Sequence, residues 1–167
     1  MAEQLDAIDF AFVAYREGLD WVLDDLADEF LTDVETIAHA LRRLPGDRGA
    51  IALIGVDEDF FLIVRVEQER TWVLLSDVTA ADEWELADSA IEFLGLPDLD
   101  DIGDLADPDK PAPAGDLALL ADLGAPAVEV AELVDDPDLY PDEALSDIAR
   151  MLGFGELFDE ALDFASA

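Results

Sequence analysis

Cysteine is absent from the 167-residue chain, histidine occurs once as His39, and lysine once as Lys110. The missing thiols exclude a disulfide framework, a thiolate metal site and a cysteine nucleophile. Lys and Arg total 8 against 43 Asp and Glu, for a formal net charge of −35. A conventional nucleic-acid interface gains affinity by releasing counterions from phosphates onto a basic surface, and this composition excludes one. Direct attraction to an anionic membrane is excluded for the same reason. No apolar run reaches the length of a membrane span, the longest clear one being Ala50 to Val56. The chain opens Met1-Ala2-Glu3-Gln4-Leu5-Asp6, without the basic and apolar regions of a secretory signal. A cytoplasmic protein is the expectation.

What is present is apolar material. Hydrophobic residues make up 52% of the chain, enough for a packed core and unlike a disordered acidic segment. A folded chain of this size exposes roughly 8,000 Å², which spaces the net charges about 15 Å apart if spread evenly. The screening length is about 8 Å at physiological salt and about 30 Å at 0.01 M, so dilute buffer is expected to destabilise the fold.

The pattern predicts an α+β protein, an antiparallel sheet with helices in the order β-β-α-β-β-β-α, followed by a small C-terminal helical segment. Phe10 to Tyr15 and Trp21 to Leu23 read as strands joined by a turn at Arg16-Glu17-Gly18. Thr32-Asp33-Val34-Glu35 fits a capping box with Thr32 as cap. Val34, Ile37, Ala38, Leu41 and Leu44 then share a helical face until Pro45-Gly46. Ala50 to Val56, Phe60 to Val66 and Thr71 to Leu75 are strand-like, and their short separators favour hairpins. Runs so continuously apolar imply a sheet covered on both faces, or one face serving as an interface. A second helix is predicted over Ala80 to Leu94. The layout resembles roadblock or profilin-like folds, in which helices pack on one antiparallel sheet.

Three parts follow: an α+β domain at 1–96, an acidic linker at 97–114 and a helical segment at 115–167. The linker holds Asp98, Asp100, Asp101, Asp104, Asp107 and Asp109 among Pro, Gly and small apolar residues. In the last part, Asp116 caps a helix through Leu123, Pro126 opens one through Leu133, and Pro141-Asp142-Glu143 opens a third. A final helix follows Gly153-Phe154-Gly155. So small a tail is expected to dock on the first domain, dimerise, or firm up on a partner.

Catalytic constellations do not stand out. His39 points about 140° from Val34 around its helix, away from the apolar stripe, which predicts a solvent-facing residue. Neither a phosphate-binding glycine loop nor a paired-His zinc motif occurs. Carboxylates are so abundant that chance pairs are expected anywhere. Ser76-Asp77 has no histidine to activate it and reads as a turn or helix start. Asp98-Leu99-Asp100-Asp101-Ile102-Gly103 approaches a calcium loop but has Ile102 at the fifth position and Asp109 at the twelfth. Neither a metal nor an organic cofactor is expected. Arg42, Arg43 and Arg48 gather three of the eight bases at a helix C-terminus, either as favourable end charges or as an anion dock for the linker. Trp21, Trp72 and Trp84 sit in apolar-patterned elements and are read as core or sheet-face residues.

Several stretches carry a resemblance. They are Leu75-Ser76-Asp77-Val78-Thr79, then Pro113-Ala114-Gly115-Asp116-Leu117-Ala118-Leu119-Leu120 running on to Gly124 and Pro126, then Pro141-Asp142-Glu143-Ala144-Leu145 and Gly153-Phe154-Gly155-Glu156-Leu157. Together they resemble the actinobacterial tRNA adenosine deaminase-associated proteins. The resemblance implies gene proximity to the enzyme that makes wobble inosine, and assigns no activity. The chain is not itself that deaminase, whose zinc site needs His and Cys ligands with a nearby Glu. The matched positions Ser76, Asp77, Gly115, Asp116, Leu120, Gly124, Gly153, Phe154 and Gly155 are the candidate partner contacts, although each glycine singly reads as helix punctuation. The expected function is a non-enzymatic accessory or protein-binding protein, possible partners being a tRNA adenosine deaminase or another basic protein. The alternatives are a nucleic-acid mimic that regulates a basic protein, a carboxylate-dependent enzyme, and acidity that serves solubility alone.

Overall fold

Strands separated by three or fewer residues can only turn back on themselves, and the sheet is built that way. In the computed structural model, the described residues are 8–18, 20–26, 28–31, 33–44, 49–56, 60–67, 70–77, 84–94, 114–136 and 139–165. The strands are β1 (Ile8–Glu17), β2 (Asp20–Asp25), β3 (Ala50–Val56), β4 (Phe60–Glu67), β5 (Arg70–Leu75) and the two-residue β6 (Ala114–Gly115). Their spatial order is β2-β1-β3-β4-β5-β6, every neighbour antiparallel. Helices α1 (Val34–Arg42) and α2 (Glu85–Phe93) lie between strands in sequence, and α3 (Ala127–Asp135), α4 (Pro141–Leu152) and α5 (Gly155–Ala165) follow β6. The predicted α+β order is the observed one.

The pleat sends alternate residues of each strand to opposite faces. Every residue of β3 is buried, because both faces are covered. On one face Ala52, Ile54, Leu62 and Val64 pack against Ile37 and Leu41 of α1 and Ala87 and Ile91 of α2. On the other, Leu53, Phe61 and Ile63 pack against Leu145, Ile148 and Phe158 of the C-terminal helices. Phe158 meets the rings of Phe10 and Phe12 edge-on at 5.6 and 5.7 Å. Helices therefore cover both faces of the sheet. The tail takes the first of its three expected fates and docks on the sheet.

Two local expectations are corrected. The cap of α1 is Asp33, not Thr32: its Oδ1 accepts from the Thr36 N–H at 2.7 Å. Asp33 stands immediately before Val34, the first buried residue of the stripe, and a carboxylate there also meets the positive end of the helix. Thr32 lies outside the described residues. Residues 117–123 are turns ending in a 3₁₀ segment, Ala121–Leu123, instead of an α-helix. Adjacent Leu119 and Leu120 are both buried, and the Leu119 carbonyl accepts from Arg65, where an α-helix would pair it with Leu123. Leu123 instead donates to Leu120 at 3.0 Å. A helix of only seven residues also lacks the length to offset its nucleation. The linker's aspartates, Arg48 and the calcium-like run fall outside the described residues.

Candidate functional site

The strand register gathers most of the described arginines at one end of the sheet. Tyr15 pairs with Ala50, Ala50 with Val66, and Val66 with Thr71. The end of β1, the start of β3, the end of β4 and the start of β5 are therefore neighbours. Arg16, Arg65 and Arg70 all lie there. Arg42, in the last turn of α1, reaches the same end, donating from Nη2 to Thr71 Oγ1 at 2.8 Å. Arg43 follows it as the C-cap. Glu17, Asp20 and Glu67 share this end, and Arg16, Arg42, Arg43 and Arg70 form no ion pair with carboxylates of the described residues.

Arg65 is the exception. It sits mid-strand in a sequence of apolar neighbours and is 2% exposed. A buried guanidinium is tolerated only when paired and hydrogen-bonded. Both its amino groups pair with the Asp122 carboxylate, one at 2.9 Å; Glu67 Oε2 accepts at 2.9 Å and the Leu119 carbonyl at 2.7 Å. Its Cζ lies 5.3 Å from the Trp72 ring centroid, within cation–π range. Only Nε–H is buried without a partner among the described residues. Arg65 thus ties β4 to the 116–124 turn, and that need explains the turn's departure from helix.

Around it lies an open pocket of about 360 Å³, lined by Arg65, Glu67, Arg70, Trp72 and Asp122. Arg70 is exposed and Trp72 half-buried. The lining offers donors, acceptors and an aromatic wall, but no hydroxyl, thiol or imidazole to act as nucleophile or base. Among the described residues no group of three or more His, Cys, Asp or Glu is placed to hold a metal ion. Sequence reasoning passed over Arg65, Glu67 and Asp122. The available signal was a lone arginine inside the run Phe-Phe-Leu-Ile-Val-Arg-Val.

The nine candidate contact positions are dispersed. Ser76 latches β4 to the end of β5, accepting from Phe61 N–H at 2.8 Å while its own N–H donates to Phe61 O at 3.0 Å. Asp77 beside it is half-buried. Gly115, in β6, has φ +110°, and a Cβ there would fall 2.0 Å from Val73 O. Asp116 is exposed and its Oδ1 accepts from Ala118 N–H at 2.9 Å. Leu120 and Phe154 are core residues, 0% and 2% exposed. Gly124 and Gly153 lie at the surface at helical ends, and Gly155 is buried against Arg150. His39 is exposed, as its helical angle predicts. Trp21 packs on Phe154 with centroids 4.7 Å apart and donates from Nε1 to Leu152 O at 3.0 Å. Trp84 is half-buried near Phe60 on the opposite face.

Fold and site together define an acidic α+β protein, its antiparallel sheet covered on both faces, with a small arginine-centred pocket at one sheet end. No solved structure matches the chain. Residues 9–155 match the family described as Rv3753c-like tRNA adenosine deaminase-associated protein. The chain is also 35% identical over 154 residues to Protein Rv3753c of Mycobacterium tuberculosis, covering 92% of this chain and 87% of that protein. The chain belongs to the Rv3753c-like tRNA adenosine deaminase-associated family. No helix among the described residues is long and apolar enough to cross a membrane.

Proposed function

We propose that the protein is a non-enzymatic, cytoplasmic accessory protein that binds another protein, with a tRNA adenosine deaminase as the first candidate partner. The observation that carries this reading is the outer surface of the C-terminal layer. Residues 114–165 hold one base, Arg150, while Glu129, Glu132, Asp135, Asp142, Glu143 and Glu156 are exposed. Such a surface attracts a basic groove at long range and repels nucleic acid. An enzyme that grips tRNA presents such a groove, and the family's description supplies the association. Among the nine marked positions, the surface members Gly115, Asp116, Gly124 and Gly153 are the candidate contacts.

Calorimetric titration of the full-length chain against the deaminase of the same genome tests this, at about 0.05 and 0.3 M salt, on either side of the physiological screening length. Saturable binding that persists at the higher salt is the expected result. Binding confined to low salt favours a general mimic of polyanions, and no binding at either salt overturns the deaminase reading. The division at 97–114 belongs to the same proposal, and protease cleavage confined to that stretch is its expected outcome.

A further inference from the structure

The two edges of the sheet end differently. Beyond β5 the chain returns as β6, and Asp116 N–H donates to Val73 O at 3.1 Å. On the other side β2 is the outermost strand, with no neighbour beyond it among the described residues. Its residues Asp20-Trp21-Val22-Leu23-Asp24-Asp25 pair with β1 without a register shift. Glu17 and Asp20 close the hairpin, and Leu26 N–H donates to Ala11 O at 3.0 Å. By antiparallel alternation the backbone groups of Asp20, Val22 and Asp24 then face β1, and those of Trp21, Leu23 and Asp25 face outward. The Asp25 N–H is taken by Asp24 Oδ1 at 2.9 Å. The N–H and C=O groups of Trp21 and Leu23 have no partner among the described residues. Such an edge is a template for another strand, and natural sheets blunt it with proline, lysine or a bulge. β2 has none of these. Its charges are all acidic: Asp20, Asp24 and Asp25 are exposed and form no ion pair with bases of the described residues.

We infer that the β2 edge takes an extended basic segment of a partner protein as an added antiparallel strand. The inference rests on the protein-binding reading above and deepens it by naming the kind of segment held. The added strand exchanges backbone hydrogen bonds with Trp21 and Leu23, and the pleat sets its side-chain pattern. Asp20, Val22 and Asp24 share one face of β2, so the residues opposite them should be basic, apolar or β-branched, and basic. Trp21 and Leu23 share the other face and pack under the C-terminal layer, so the residues opposite them should be apolar. The segment therefore reads cation, three β-formers, cation. A second copy of β2 is a poor occupant, because pairing Trp21 with its Leu23 sets Asp20 against its Asp24, like charge on like. The edge also adjoins a candidate contact: Trp21 Nε1 donates to Leu152 O at 3.0 Å, and a Cβ on exposed Gly153 would lie 3.6 Å from that nitrogen.

The experiment titrates the full-length chain, at about 0.15 M salt, with the capped peptide Thr-Lys-Val-Thr-Val-Lys-Thr. Amide exchange is read residue by residue by NMR. In the free chain the Trp21 and Leu23 amides should exchange faster than those of Val22 and Asp24. Saturation is expected with a Kd of about 1 mM or tighter. Bound peptide should slow exchange at Trp21 and Leu23 at least about tenfold. The double variant Asp20→Asn, Asp24→Asn keeps the Asp24 acceptor, and its unfolding temperature is checked first. It should weaken binding at least about threefold, as two exposed ion pairs allow. The same peptide with both valines N-methylated keeps its charge but cannot donate to Trp21 and Leu23, and should not bind. Absence of saturation overturns the inference and leaves the acids as a guard on the edge. Binding without protection of Trp21 and Leu23 overturns it, as does equal binding of the N-methylated peptide or of one with glutamate for lysine. Protection of both amides that grows with concentration of the chain alone puts a second copy on the edge and overturns it too. None of these readouts involves the deaminase, so failure here leaves that partner's titration standing, and a deaminase that does not bind leaves the edge result intact.

Discussion

Removing Asp122 is expected to cost more than removing Arg65, although the two are halves of one ion pair. The reason is unequal burial: the Arg65 side chain is 3% exposed and that of Asp122 47%. Asp122→Ala leaves a buried cation with only Glu67 and the Leu119 carbonyl. Charge-assisted hydrogen bonds contribute about 1.5–3 kcal/mol each. Water at half-exposed Asp122 already supplies part of that, which reduces the loss of both to about 2 kcal/mol. Arg65→Met removes the charge that needed pairing and keeps the volume. Asp122 then rehydrates, and the freed Leu119 carbonyl, at about 1 kcal/mol, is largely offset by the guanidinium desolvation avoided. The net cost is about 0–1 kcal/mol. In a domain of this size 1 kcal/mol corresponds to about 2–4 °C, so the expected losses are about 4–8 °C for Asp122→Ala and under about 4 °C for Arg65→Met. Urea unfolding followed by tryptophan fluorescence, with the double mutant closing the cycle, measures both. In the Arg65→Met background Asp122→Ala should cost less than it does in wild type. A larger loss for Arg65→Met than for Asp122→Ala, or a coupling energy below about 0.5 kcal/mol, refutes the reasoning.

Three further outcomes are expected. Gly115→Ala should lose about 2–3 kcal/mol in the same urea assay, because φ is +110° and the added Cβ would meet Val73 O at 2.0 Å. Asp33→Ala should lose about 1 kcal/mol, the worth of an N-cap, with faster amide exchange confined to the first turn of α1. Lowering the ionic strength from about 0.15 to about 0.01 M should lower the urea midpoint of wild type, since the longer screening length brings the surplus carboxylates into mutual repulsion; a midpoint that stays put means the charges are arranged to avoid one another.

The sheet was legible because its signals are local. Residues 57–59 and 68–69 are too few to allow anything but hairpins, and alternate placement makes a fully apolar strand such as Ala50–Val56 diagnostic of two covered faces. What covers the second face was not local information. It depends on Leu145, Ile148 and Phe158 finding Phe10 and Phe61 from the far end of the chain, and no periodicity encodes a docking partner. The Thr32 reading failed because Thr32 and Asp33 are both good caps, and the choice rests on where the buried stripe begins. The helix expected from Asp116 failed for a tertiary reason, since the Leu119 carbonyl and Asp122 are both claimed by Arg65. The site was missed with it: an arginine in a strand pattern looks like an edge residue until a distant turn supplies its carboxylate.

The edge-on meeting of Phe158 with Phe10 and Phe12 has a consequence for synthesis. Strand β1 is made well before the ring that meets it, because Phe158 lies nearly 150 residues further along the chain. At roughly 5–20 residues per second, the interval between Phe61 and Phe158 lasts about 5–20 s. For most of it, the aromatic side of the nascent sheet still lacks the helices that cover it. A chain that carries so much like charge is well suited to that wait, for neighbouring nascent copies repel one another before their bare faces can touch.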